Sequence, residues 1–230
     1  MLRELLSIFR SDNPMHGMAG DFVRMLTVTE QMTTSAGAIY GGRSASEHDR
    51  KRLYDYDEEV NGLERDIRKR IAAHMLIPGN SRDAAYCLLL MSLVKDVERI
   101  GDYAKNLAEI EDIRREPLPD DPMSRELGEI RRAVDSTFHA AAETFTTSDR
   151  ERAVGQIERG RAIAQQCDTL VGRISHSDYD ANTTAALVLG ARYYKRINGH
   201  LLNVLSSVVM PVYKIDYYDE DEIPQDVEPR

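Results

Sequence analysis

Glu98 and Asp102 stand four residues apart, so in a helical segment their carboxylates are neighbours on one face. Like charges at that spacing repel mildly, and either of two arrangements relieves the repulsion. A hard or borderline cation can bridge the oxygens, or cations of the protein itself can balance them. Lys95, Arg99 and Lys105 supply the second arrangement. Asn106 and Glu109 continue the stripe, which points well over a quarter turn away from Val97, Ile100 and Ala104 and is expected to be exposed. Earlier in the chain Asp57, Asn61 and Glu64 recur at helical spacing. Together with Asn106 they are candidates for additional metal ligation or for docking across a groove, and their plainer reading is a solvated helix face.

Other chemistry finds little support. A carboxylate-bridged di-metal enzyme in a helical bundle draws on Glu-x-x-His pairs. None of His16, His48, His74, His139, His176 and His200 has an acidic residue three positions before it. Cys87 and Cys167 lie inside apolar helical patterns with no companion cysteine, which reads as two buried free thiols. There is no Gly-framed serine elbow and no phosphate-cradling glycine loop. The chain is therefore not expected to be an enzyme.

The elements that must position these residues are helices. Met15, Met18, Phe22, Met25, Thr29, Met32, Ala36 and Ile39 alternate three and four apart, and Gly41-Gly42 stops them. A second helix over about 46–76 carries Val60, Leu63, Ile67 and Ile71 and ends at Ile77-Pro78-Gly79-Asn80. Ser81 is positioned to cap a third, whose apolar stripe runs from Leu89 to Leu107 and which closes near Arg115. The stretch 116–122 holds three prolines and reads as a linker. Helices then recur at about 123–145, 150–174 and 181–209, with Pro211 marking the end. The expected fold is all-α, two tandem three-helix bundles: 1–115, and 123–211 after the linker, followed by an acidic tail over 212–230.

Sliding the third helix onto the sixth by 97 positions superposes Arg99 on Arg196, Ile100 on Ile197, Asn106 on Asn203 and Lys95 on Arg192. That agreement, at the same place in each triplet, points to internal duplication. Lys195 and Gly199 stand where Glu98 and Asp102 stand, so any metal site belongs to the first repeat alone. His200 falls on Tyr103 and, lacking an acidic residue one turn away, reads as a structural or surface residue.

Composition narrows the partners. With 42% hydrophobic and 30% charged residues and no Trp, the chain has the make-up of a globular protein packed by aliphatic helices. A net charge of −9 argues against nucleic-acid binding. No apolar run is long enough to span a membrane, and the start, MLRELLSIFR, lacks a cleavage-site pattern, so the chain reads as cytoplasmic and unprocessed. Leu2, Leu5, Leu6 and Phe9 make a short amphipathic turn suited to packing on the bundle or to a membrane surface. Tyr213, Tyr217 and Tyr218 form either a hydrophobic end to the last bundle or a docking point.

The run Lys95 to Glu109, and within it Glu98-Arg99-Ile100-Gly101-Asp102-Tyr103-Ala104-Lys105-Asn106, resembles the E-R-I-G-D-x-A-x-N signature of the PhoU family of phosphate-uptake regulators. With Asp57 to Glu64 the resemblance covers most of residues 15–115, whereas 123–210 follow by helix order alone. The resemblance implies an antiparallel helical regulator that binds a phosphate transporter or its sensor kinase at the inner face of the membrane. It also implies iron or zinc held through Glu98 and Asp102, and self-association into a homo-oligomer such as a dimer. The rival reading is a self-assembling helical scaffold or adaptor without a metal or phosphate role, which periodicity alone does not exclude.

Overall fold

The computed structural model describes residues 14–42, 45–114 and 116–217. Six long helices account for nearly all of them: α1 (Pro14–Tyr40), α2 (Glu47–Met75), α3 (Ala84–Ile113), α4 (Pro122–Thr147), α5 (Arg150–Ser175) and α6 (Ala181–Val209). No strand occurs among the described residues. Expectations for the first ten residues, Arg115, and the side chains of Tyr217 and Tyr218 lie outside the described residues.

Local chemistry sets most helix starts. Ser46 and Asp49 form a capping box ahead of α2: the Ser46 hydroxyl accepts from the Asp49 amide at 3.1 Å, and the Asp49 carboxylate from the Ser46 amide at 3.2 Å. Asp149 and Asp180 cap α5 and α6 in the same sense. Two expected boundaries move. Pro122 belongs to α4, not to the linker, because a proline at the first helical position removes only an amide that has no partner, and Asp121 caps it. Ser81 is not the cap of α3. Gly79, at φ 96, turns the chain into a 3₁₀ turn over Asn80–Asp83, and α3 begins after it.

The core runs continuously through both triplets. Met15, Met18, Phe22, Met25 and Met32 of α1 are all fully buried, and Phe22 meets Phe145 of α4 with ring centroids 4.8 Å apart. The far end of α1 is fastened by polar contacts. Arg114 donates to the Tyr40 and Ile39 carbonyls at 2.8 and 3.3 Å, satisfying acceptors the helix end leaves open. Arg131 donates to the Gly37 carbonyl at 2.6 Å, and the Tyr40 hydroxyl to Ala186 O of α6 at 3.1 Å. α3 and α6 are the two central helices. Asp96 meets His200 and Asn203 while Tyr103 meets Tyr193, so advancing along α3 retreats along α6 and the pair is antiparallel.

Candidate functional site

α2 and α3 are joined side by side by a charged ladder. Arg50 reaches Glu111 at 2.8 Å and Asp112 at 2.9 Å, the Tyr54 hydroxyl donates to Glu109 at 3.0 Å, and Lys105 donates to Asp57 at 2.9 Å. These rungs fix an antiparallel register, and continuing it brings Asn61 level with Asp102 and Glu64 level with Glu98. Partial burial works against the charge of Lys105, yet Asp57 first, then Asp102 and Glu109, hold its pKa above the ordinary lysine value.

Glu98 and Asp102 are not exposed as their position opposite the apolar seam predicts. Their side chains are only 14% and 30% exposed. α2 packs alongside them, and the long stems of neighbouring cations fold over the rest. Lys95 donates to Glu98 at 2.6 Å, Arg99 to Asp102 at 2.9 Å, and Lys105 approaches Asp102 at 3.8 Å. Asp57 also accepts from Asn61 at 3.3 Å. Asn106 lies half-buried on the same face.

Glu64 departs further from the sequence reading. It is buried, 8% exposed, on the seam it shares with Val60, Ile67 and Ile71. An offset of 103 superposes that seam on Ile163, Cys167, Leu170 and Ile174 of α5, so the carboxylate sits where the second repeat has a buried thiol. Its Oε1 has no hydrogen-bond partner but lies 3.2 Å from an Arg68 guanidinium nitrogen. Glu58, Asn61, Glu64 and Arg65 line an open groove of about 490 Å³ beside it.

Among the described residues no group of three or more His, Cys, Asp or Glu is placed to hold a metal ion. Glu98 and Asp102 have their oxygens engaged by Lys95 and Arg99, and Asp57 points to Lys105. An ion bound by Glu98 and Asp102 would compete with Lys95 and Arg99 for those carboxylates. The face is a surface of alternating charge in which Lys95 pairs with Glu98, Arg99 with Asp102 and Lys105 with Asp57.

One cluster was not foreseen. Asp96, 8% exposed, accepts on Oδ1 from His200 at 2.8 Å and from Asn203 at 2.7 Å, joining α3 to α6. His200 therefore has its acidic neighbour across the interface, not one turn away along its own helix. Tyr103 stacks on it at 5.8 Å. The available signal was the offset of 97, which pairs Tyr103 with His200 but does not reveal that equivalent positions touch.

A PhoU domain matches residues 22–110, the span of α1 to α3 that carries the ladder. The chain is 24% identical over 153 residues to a phosphate-specific transport system accessory protein PhoU homolog of Caulobacter vibrioides, covering 64% of this chain and 66% of that protein, slightly under two thirds of its length. An uncharacterized protein of Deinococcus radiodurans is 27% identical over 199 residues, 81% of this chain and 69% of the relative. Among solved structures, the phosphate transport system regulatory protein PhoU of Streptococcus pneumoniae superposes with a TM-score of 0.75 at 14% identity, over 91% of this chain and 97% of that one. PhoU of Pseudomonas aeruginosa gives 0.76 at 17% identity, over 85% and 95%. At such identities the structures speak for the fold, a PhoU-like helical bundle, and the PhoU domain match covers the first three helices of the chain.

Proposed function

We propose that the chain regulates phosphate transport or phosphate-dependent signalling by docking on a phosphate transporter or its sensor kinase at the inner face of the membrane, restraining uptake when phosphate is plentiful. The observation that carries this reading is the PhoU domain over α1 to α3, where the charged ladder lies. Its support from relatives is the similarity to the Caulobacter vibrioides phosphate-specific transport system accessory protein. The ladder suits docking because its charges are held in fixed positions by Lys95, Arg99 and Lys105, so a partner meets a preformed pattern. Iron or zinc held through Glu98 and Asp102 is a separate part of this reading, and it requires Lys95 and Arg99 to release those carboxylates.

A second reading, a self-associating scaffold, is favoured by apolar side chains left open at Leu76 (84% exposed) and Leu88 (61%). One experiment separates the two. In source cells lacking the chromosomal copy, phosphate uptake is measured with the parent chain and with a Glu98→Ala, Asp102→Ala variant restored, and each is recovered from membranes with its partners. The regulator reading expects the parent to lower uptake and to recover phosphate-transport or kinase components, both weakened in the variant. Uptake unaffected by either chain, with only the chain itself recovered, would establish the scaffold.

A further inference from the structure

The turn that joins α2 to α3 hides its polar side chains and exposes its apolar ones. His74, 8% exposed, meets Asp83 with Nε2 2.8 Å from Oδ2, and the Asn80 side-chain amide donates to the His74 carbonyl at 3.0 Å. Met75, Leu76, Ile77 and Pro78 point the other way, with Ile77 55% exposed. Leu88, one turn into α3 at the same end of the bundle, is exposed as well. Met75, Leu76, Ile77 and Leu88 are four of the seven large apolar side chains exposed among the described residues. The knot around His74 fixes the turn in this form, so the apolar tip is presented by the fold itself.

The backbone of the tip suits an apolar medium. The amides of Leu76, Ile77 and Asn80 donate to the carbonyls of Ala73, His74 and Ile77 at 3.3, 3.2 and 3.2 Å, and Pro78 has no amide to satisfy. An unpaired amide is costly in hydrocarbon, and these have their partners inside the turn. The charge suits a negative surface. From Ile67 to Val94 the chain sets Arg68, Lys69, Arg70 and Arg82 against Asp83 alone, although its overall net charge is −9. Arg68 and Arg70 engage Glu64 and Asp21, while Lys69 and Arg82 are exposed. Lys69 lies two helical turns, about 10 Å, behind Leu76, the depth of lipid headgroups when the tip reaches the acyl boundary. Shape points the same way. The tip projects past the ends of both helices, so a protein partner would need a socket for it, whereas a fluid lipid surface yields to it.

We propose that Met75–Pro78 and Leu88 enter the surface of an anionic bilayer, with Lys69 and Arg82 on its headgroups, as a lipid anchor built into the α2–α3 turn. The contact reaches only the interface, because no helix among the described residues is long and apolar enough to cross a membrane. It goes beyond the docking role proposed for the charged ladder, needs no protein partner, and is tested without one.

The chain contains no Trp, so one introduced at a chosen position reports from that position alone. Leu76→Trp is compared with Ile113→Trp, an exposed apolar position about 37 Å along α3 from Leu88, at the other end of the bundle. Each full chain, its fold checked by circular dichroism, is mixed with vesicles of phosphatidylcholine and phosphatidylglycerol carrying brominated acyl chains, and with brominated phosphatidylcholine alone. The anchor predicts blue-shifted emission and quenching at position 76 on the anionic vesicles, several-fold stronger than at position 113. The effect should collapse at about 1 M salt, where the screening length shrinks to about 3 Å. Flotation of the chain with the anionic vesicles should likewise fall several-fold in a Leu76→Ser, Ile77→Ser variant and in a Lys69→Glu, Arg82→Glu variant. Quenching at position 76 no stronger than at position 113, or no weaker on phosphatidylcholine alone, would overturn the anchor. So would a blue shift that needs no vesicles and grows with protein concentration, which makes the occupant a second copy.

Discussion

Tyr103 of α3 and His200 of α6 are equivalent positions of the duplicated helices, and they stack on each other with ring centroids 5.8 Å apart and planes 22° apart. When a residue touches its own counterpart, the local symmetry axis passes between them. Asp96 meets His200 on one side, and the counterpart of Asp96, Tyr193, meets Tyr103 at 6.0 Å on the other. This is the reciprocity of an isologous dimer contact, retained inside one chain. The second repeat kept the geometry and exchanged the chemistry, a carboxylate–imidazole pair opposite a tyrosine pair.

That seam is expected to carry measurable stability. His200→Ala leaves the buried Asp96 carboxylate with Asn203 alone and should cost about 1–3 kcal/mol, the range for stranding a buried polar partner. Asp96→Asn should be costly by the same reasoning, and the double variant should cost less than the two together, with a coupling of at least about 0.5 kcal/mol. Urea unfolding of the four proteins measures it. Additive losses would mean that the pair holds nothing between the repeats.

A second test concerns backbone proximity of α5 and α6. A Cβ built on Gly160 would stand 2.8 Å from Leu202 Cδ1 and nearer still to Cδ2, and Leu202 is fully buried with nowhere to retreat. Asn198 donates to the Gly160 carbonyl at 2.9 Å and locks the approach. Gly160→Ala should therefore destabilise by about 1–3 kcal/mol through overpacking. Adding Leu202→Ala removes the clash, so the double variant should lie closer to Leu202→Ala than the sum predicts. A fully additive pair of losses would place the strain elsewhere.

How much of this was legible in the sequence follows from what periodicity encodes. The three-four spacing of Met15 to Ile39 reports one buried face, and that face is buried. Glu64 has helical spacing both from Asp57 and Asn61, which suggests a polar stripe, and from Val60, Ile67 and Ile71, and it is the second spacing that decides its place in the buried seam. Glu98 and Asp102 were expected in the open because a helix seen alone has only one neighbour. Here α2 covers a second side. The Asp96–His200 contact joins residues 104 positions apart and leaves no periodic trace.

Both thiols should be inert in the native state. Burial, with Asp168 beside it, pushes the Cys167 thiol up to about 12, and burial with nearby Asp83 raises Cys87. At neutral pH almost no thiolate exists to attack an alkylating reagent. Iodoacetamide should leave the folded chain unmodified and label both cysteines once guanidinium unfolds it. Rapid native labelling of Cys167 would show that α5 opens from α6 far more readily than its packing implies.

Acid should find one of its targets at the start of α6. Asp180 accepts from the Thr183 hydroxyl at 2.6 Å and from the Asn182 and Thr183 amides at 2.8 and 3.2 Å. These bonds, the Thr183 hydroxyl first, hold its carboxyl below the ordinary value of 3.8. A carboxyl whose pKa is lower folded than unfolded binds its proton more readily in the unfolded chain. Its contribution is therefore complete above the unfolded value and disappears as pH falls through the folded one. Asp180→Asn retains a cap without the charge, so parent and variant should differ in melting temperature at neutral pH and converge as pH drops below about 3.8. Thermal melts of both proteins across that range decide it. A gap that persists or widens in acid would mean that the charge of Asp180 contributes nothing to holding the first turn of α6.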